Sequence, residues 1–188
     1  IQDNIFFSDF ASSGRSPLES YSFIVIKDSG EAQNTRYIHV RRNVFLNWEG
    51  NHKDFVLVGE DGKPTFEARD VTIENNLMIG NSPHEMQAPI GVRGSRDITV
   101  RSNTIVGDLP ALNYGIVSYI VGDNPPNENV RIHNNIWSDP TGTMGINFSC
   151  CGGSQTESYS FDNNLFFNAG EPFPTSKYPF VEVDDDIH

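Results

Sequence analysis

One eight-residue pattern recurs along this chain and restricts what it can become: apolar, any, apolar, any, any, Asn, any, apolar. It reads Ile38-Val40-Asn43-Phe45, Val71-Ile73-Asn76-Met78, Ile98-Val100-Asn103-Ile105, Val130-Ile132-Asn135-Trp137 and Tyr159-Phe161-Asn164-Phe166. A shortened copy at the chain start reads Ile1-Asn4-Phe6, and the six asparagines follow one another at intervals of 39, 33, 27, 32 and 29 residues. Self-similarity at such a period marks a stacked architecture, in which each repeat buries its apolar face only against its neighbours.

The chemistry of each copy is that of a strand. Apolar positions alternate with period two, and β-branched and aromatic residues dominate them. The residues between them (His39, Thr72, Thr99, Arg131 and Ser160 among them) are polar, as a solvated sheet face requires. Between copies lies a second apolar stretch, at Phe23–Ile26, Phe55–Val58, Ile90–Val92, Tyr114–Ile120 and Met144–Phe148. Each repeat therefore holds two strands about an Asn-centred corner, plus a third.

Other fold classes fail on specific grounds. Segments such as Asp61-Gly62-Lys63-Pro64 and Gly122-Asp123-Asn124-Pro125-Pro126 are turn-forming, and no amphipathic helices separate the strands as a doubly wound α/β fold would need. A β-sandwich does not repeat one motif at one class of spacing. A leucine-rich repeat shares Leu-x-Leu-x-x-Asn-x-Leu but needs a further Leu three residues upstream, where this chain has Thr35, Ala68, Ser95, Asn127 and Thr156. The reading that survives is an all-β solenoid. A single domain over residues 1–188 is expected, a portion of a longer solenoid truncated at both ends, because the chain begins inside a copy and stops just after an apolar strand.

The segments Val71-Thr-Ile-Glu-Asn-Asn-Leu-Met and Val130-Arg-Ile-His-Asn-Asn-Ile-Trp resemble the right-handed parallel β-helix repeats of the pectate-lyase-like superfamily. The resemblance covers nearly the whole chain. It implies three parallel sheets and about six rungs some ~4.8 Å apart, with the asparagines stacked at an inward corner and the column Phe6, Phe45, Met78, Ile105, Trp137, Phe166 in the core. Functionally it implies a shallow groove along one sheet that binds an extended glycan. The superfamily includes polysaccharide lyases, hydrolases, epimerases, phage tailspikes and proteins of unknown role, so it implies fold more strongly than activity.

Charge narrows the partners. The net charge of −12 argues against nucleic acid as a ligand, and no apolar run approaches the ~18 residues that span a bilayer. Adjacent Cys150 and Cys151 cannot form a disulfide of ordinary geometry, and no further Cys or His lies at metal-ligand spacing; they read as reduced thiols. The third strand is apolar on both parities (Ile5/Phe7, Val44/Leu46, Leu77/Ile79, Leu165/Phe167), and cover by loops is expected on its outer side.

The groove implied by the resemblance falls on the strand that precedes each long turn, where Lys27, Asp28, Glu60, Arg93, Arg96, Tyr119 and Asn147 are candidates to face solvent. A lyase needs a base for the proton α to a uronate carboxyl and a cation to neutralise that carboxylate. Lys27 or Tyr119 would serve as base, with Arg93 or Arg96 as neutraliser. A hydrolase needs two carboxylates; Glu60-Asp61 and the run Asp184-Asp185-Asp186 supply carboxylates, neither has a recognisable partner in the sequence, and the Asp run reads as a solvated terminal turn. His84, in the loop 81–89, and Asn147, within an Asn-Phe-Ser sequon, are further substrate-binding candidates. Calcium is a conceivable cofactor, although EF-hand spacing is absent. The motifs of pectate lyases and polygalacturonases are not matched. The expected function is thus an exported or cell-surface protein that binds or processes a polysaccharide or oligosaccharide. The alternative is a non-catalytic adhesive solenoid.

Overall fold

A computed structural model describes residues 1–8, 14, 21–30, 32–46, 53–80, 86–108, 115–143 and 159–171. Among these every regular element is a strand. The corner motif supplies one strand on each side of its asparagine. Before it come β3 (Arg36–Arg41), β6 (Ala68–Glu74), β9 (Ser95–Arg101), β12 (Glu128–His133) and β14 (Tyr159–Asp162). After it come β1 (Ile5–Phe7), β4 (Val44–Leu46), β7 (Leu77–Ile79), β10 (Thr104–Val106), β13 (Ile136–Asp139) and β15 (Leu165–Asn168). The second apolar stretch forms β2 (Ile24–Ile26), β5 (Asp54–Val58), β8 (Ala88–Val92) and β11 (Ile116–Ser118). The segment Met144–Phe148 lies outside the described residues.

These strands build three sheets of parallel strands, ordered β1-β4-β7-β10-β13-β15, β11-β8-β5-β2 and β14-β12-β9-β6-β3. The chain visits the sheets in turn and returns to each one strand further along, a path consistent with a parallel β-helix. Parallel neighbours need a long crossover, and the circuit through the other two sheets provides it. A leucine-rich repeat, with one sheet and helices, is excluded.

The register explains the repeat. Val71 pairs with Ile38 and Ile98, and Ile98 with Val130. Phe45 pairs with Phe6 and Met78, and Trp137 with Ile105 and Phe166. The inward side chains therefore stack like on like: the Phe6 and Phe45 rings lie 4.8 Å apart and near-parallel, as do Trp137 and Phe166 at 5.0 Å. Val40, Phe45, Val71, Ile73, Met78, Ile98, Val100, Ile105 and Trp137 are fully buried in one continuous core.

The asparagine column closes the corner. Asn43, Asn76, Asn103, Asn135 and Asn164 are buried. Each Oδ1 accepts both the backbone N–H and the Nδ2 of the preceding asparagine, at 2.9–3.1 Å. The second Nδ2 proton goes to a carbonyl of the preceding rung, as from Asn76 to Val40 and from Asn103 to Ile73. The residue before each buried asparagine (Arg42, Asn75, Ser102, Asn134, Asn163) has φ between 52° and 57°, the left-handed step that turns the chain. Asparagine is common there because it tolerates that conformation best among non-glycine residues.

A second left-handed column recurs at Tyr37, Asp70, Asp97 and Asn129, with φ of 51–57°. It breaks the alternation near the start of β3, β6, β9 and β12 and sets two consecutive residues on the outer face, as a bulge does. The buried Ala68, Ser95 and Asn127 before it are the positions that a leucine-rich repeat would fill with Leu.

The outer face of the six-stranded sheet differs from expectation. Ile5, Phe7, Leu165 and Phe167 are 74%, 56%, 42% and 53% exposed, so loop cover does not reach them. They lie on β1 and β15, the two edge strands of that sheet, with a neighbouring strand on one side only.

Candidate functional site

Polar chemistry gathers on the outer side of the sheet β11-β8-β5-β2. Ile26, Val58, Val92 and Ser118 are in register at the ends of its strands. The residues that follow them, Lys27, Gly59, Arg93 and Tyr119, therefore form one column where the chain leaves the sheet. Three of the side chains expected in a groove are brought together in this way, and the fourth member of the column is glycine for a steric reason. Gly59 has a φ of +80°, and a Cβ there would stand 1.7 Å from the Arg93 carbonyl oxygen.

Arg93 is the centre of the site. Its Nη2 donates to Gln87 Oε1 at 2.7 Å and reaches Asp54 Oδ2 at 3.4 Å, while Nη1 donates to Glu60 Oε1 at 3.2 Å. The Tyr119 ring lies over the guanidinium at 4.4 Å, a favourable use of the ring quadrupole. Lys53 Nζ joins Glu60 at 3.3 Å and sits 4.4 Å over the exposed Tyr21 ring. Lys27 pairs with Asp61. Gly91 leaves the space that this packing needs: a Cβ there would meet Asp54 Oδ2 at 2.7 Å and Leu57 Cδ1 at 2.8 Å.

Arg93 is 1% exposed and Asp54 not at all. The expectation that Arg93 faces solvent is corrected by this packing. Its charge is compensated by two carboxylates, which is how a buried guanidinium is tolerated. The compensation is incomplete in hydrogen bonds, because Asp54 Oδ1, Glu60 Oε2 and Arg93 Nε are buried with no partner.

Burial and neighbours pull the ionisations apart. Desolvation pushes the Asp54 carboxyl up to about 7 against the pull of Arg93 and Lys53. Burial also raises Glu60, and Asp61 adds to that rise. Asp61 is held below the usual carboxylate range, first by its bond from Lys27 and then by Ser29. Lys53 is lowered by burial and by Arg93. One carboxyl of the Glu60-Asp61 pair is thus biased toward its acid form and the other toward carboxylate.

The other candidates fall elsewhere. Arg96 lies on β9, in the five-stranded sheet, over the Phe66 ring at 5.1 Å and 3.8 Å from Asp97. The left-handed Gly94 after Arg93 carries the chain off the groove sheet before Arg96 is reached. Asp28 caps its own turn, accepting from the N–H groups of Gly30 and Asn34, which lower it. His84, Asn147, Cys150, Cys151 and the run Asp184–Asp186 lie outside the described residues. Sequence reasoning missed Lys53, Asp54 and Gln87, which stand at the strand entrances. A carboxylate directly before the apolar run Phe55–Val58 was the available signal.

Among the described residues no three His, Cys, Asp or Glu side chains gather as a metal site, and no helix is long and apolar enough to cross a membrane. Comparison of the chain with protein-family models, curated proteins and solved structures finds no match.

Proposed function

We propose that the protein is an exported, right-handed parallel β-helix of the pectate-lyase-like type, of about six rungs, that binds a polysaccharide along the sheet β11-β8-β5-β2 and hydrolyses it there. The observation that carries this reading is the pair Glu60 and Asp61, bonded by Arg93 and Lys53 on one side and by Lys27 on the other, with ionisations biased in opposite directions. Two titratable groups whose environments drive them in opposite directions form an acid–base assignment, and glycoside hydrolysis needs one carboxylic acid and one carboxylate.

In this reading Glu60 protonates the leaving glycosidic oxygen. Asp61, kept ionised by Lys27, activates water or attacks the anomeric carbon. Arg93 positions Glu60 through Nη1. The half-buried Tyr119 and the exposed Tyr21 flank the site, where ring faces suit the apolar faces of sugars. Lys27, Lys53 and Arg93 are each already bonded to a carboxyl group, of Asp61, Glu60 and Asp54 with Glu60, so none of the three is left to pair with a uronate, and a neutral glycan is the better fit.

The test is a panel of neutral and uronate polysaccharides followed for new reducing ends and for ultraviolet absorbance of unsaturated uronyl ends. Hydrolysis of a neutral member is expected, and Glu60→Gln should lower kcat by about 10²–10⁴-fold. Absorbance growth without hydrolysis would replace the reading with a lyase. A second reading, a non-catalytic adhesive solenoid, is favoured by the depth of Asp54 and Arg93. It predicts that glycans are retained and that no product forms.

A further inference from the structure

The five-stranded sheet carries a separate polar trough on its outer face. It encloses about 300 Å³ and is open along its length. One wall is the left-handed column Tyr37, Asp70, Asp97, Asn129; the other is the outward column His39, Thr72, Thr99, Arg131. Both columns advance one residue per strand, so the trough spans four strands and runs roughly 14 Å across them at ordinary strand spacing.

We infer that this trough is a second carbohydrate-binding site, distinct from the Glu60–Arg93 site, that takes a linear neutral glycan lying across β3, β6, β9 and β12. Three observations carry the inference. First, the lining is rich in groups that bond hydroxyls: two threonines, an asparagine, two aspartates and an arginine supply both donors and acceptors at each step. Second, their charges are already tied together. Asn129 Nδ2 donates to Asp97 Oδ1 at 2.6 Å, Arg131 Nε donates to Asn129 Oδ1 at 3.0 Å, and Arg96 lies 3.8 Å from Asp97. Such a network offers a polyol pre-oriented donors and acceptors, and the in-register arginines Arg36, Arg69 and Arg96 lie beside the trough and not among its lining. Third, Tyr37 closes one end of the trough with a ring that is 69% exposed, although a bulky residue in the left-handed region is strained. The Arg36 guanidinium lies over the ring at 5.4 Å, but neither core packing nor burial holds the ring there, and an exposed aromatic face suits stacking on a sugar ring.

The site goes beyond the hydrolytic reading, since holding a chain on a neighbouring sheet needs no chemistry from Glu60. Affinity electrophoresis of the full chain in gels containing soluble xylan, galactomannan, hydroxyethylcellulose, polygalacturonate or alginate tests it. Retardation by at least one neutral polysaccharide is expected. Tyr37→Gly should weaken it by about tenfold, close to one stacking contact, with the melting temperature unchanged or raised because glycine relieves the strained φ. Thr72→Val and Thr99→Val, which remove hydroxyls without changing shape, should each weaken it about threefold, within the worth of one neutral hydrogen bond.

Retardation by acidic polysaccharides alone, by none, or unaltered in Tyr37→Gly overturns the site. The two proposals fail separately. Loss of hydrolysis with retardation kept rejects only the catalytic reading, and hydrolysis with Tyr37→Gly retarded like wild type rejects only the trough.

Discussion

Two places in this molecule bury a dense set of polar groups, and they do so in opposite ways. At the asparagine corner every buried amide in the column finds partners at 2.9–3.3 Å, because each rung presents to the next the same group in the same register. Around Arg93 the partners come from unlike positions on unlike strands, and Asp54 Oδ1, Glu60 Oε2 and Arg93 Nε are left over. Repetition satisfies polar groups completely because the geometry that pairs one rung pairs them all. An irregular cluster has no such guarantee, and its shortfall is where ionisation is shifted.

That contrast can be broken at its steric foundation. Gly59→Ala sets a Cβ against the Arg93 carbonyl at a strained φ and should cost more than about 4 kcal/mol, with chemical denaturation showing an unfolded or grossly destabilised chain. Arg93→Met leaves the buried Asp54 without its guanidinium partner and takes one of two cations from Glu60, and should cost about 3–4 kcal/mol in the same assay. A wild-type midpoint for Arg93→Met would show that the cluster is decorative.

The ionisation of Asp54 sharpens the comparison. Its folded value near 7 stands above the ordinary 3.8, so between these values the folded state holds a proton that the unfolded state has released. The contribution of Asp54 is therefore present at low pH and lost as pH rises from about 4 to about 7, on the order of 4 kcal/mol across the window. Other carboxylates, Asp28 and Asp61 among them, are lowered and slope the other way. The measurable quantity is thus the difference between wild type and Asp54→Asn, which should grow in the variant's favour as pH rises. A flat difference would refute the assignment.

The corner should lose less. Asn103→Ala leaves the Asn76 N–H and Nδ2 without their acceptor and should cost about 2 kcal/mol. Asn4→Ala, at the exposed end of the same column, should cost visibly less. Equal losses in thermal melts would mean that the ladder is not cooperative.

The sequence makes the corner easy to read and the cluster hard. Residues such as Asn76 and Met78 announce their places because the pattern returns with each circuit, and alternation tells inward from outward. Lys27, Arg93 and Tyr119 are legible as a column because each directly follows an apolar strand. The burial of Arg93 is not, since it depends on Asp54 from one strand, Glu60 from the next turn and the missing side chain of Gly91. Arg96 misleads for the same reason: it is three residues from Arg93 in sequence, yet a left-handed glycine puts it on another sheet. The trough is hidden because Tyr37, Asp70, Asp97 and Asn129 break alternation instead of obeying it.

The asparagine column also has a direction. From Asn4 to Asn135, each of the five donates toward its higher-numbered neighbour, so their side-chain dipoles add along the axis and reinforce one another. The column is therefore a vector, with a donor-facing pole and an acceptor-facing pole. Any further coil of this kind can extend it only head to tail.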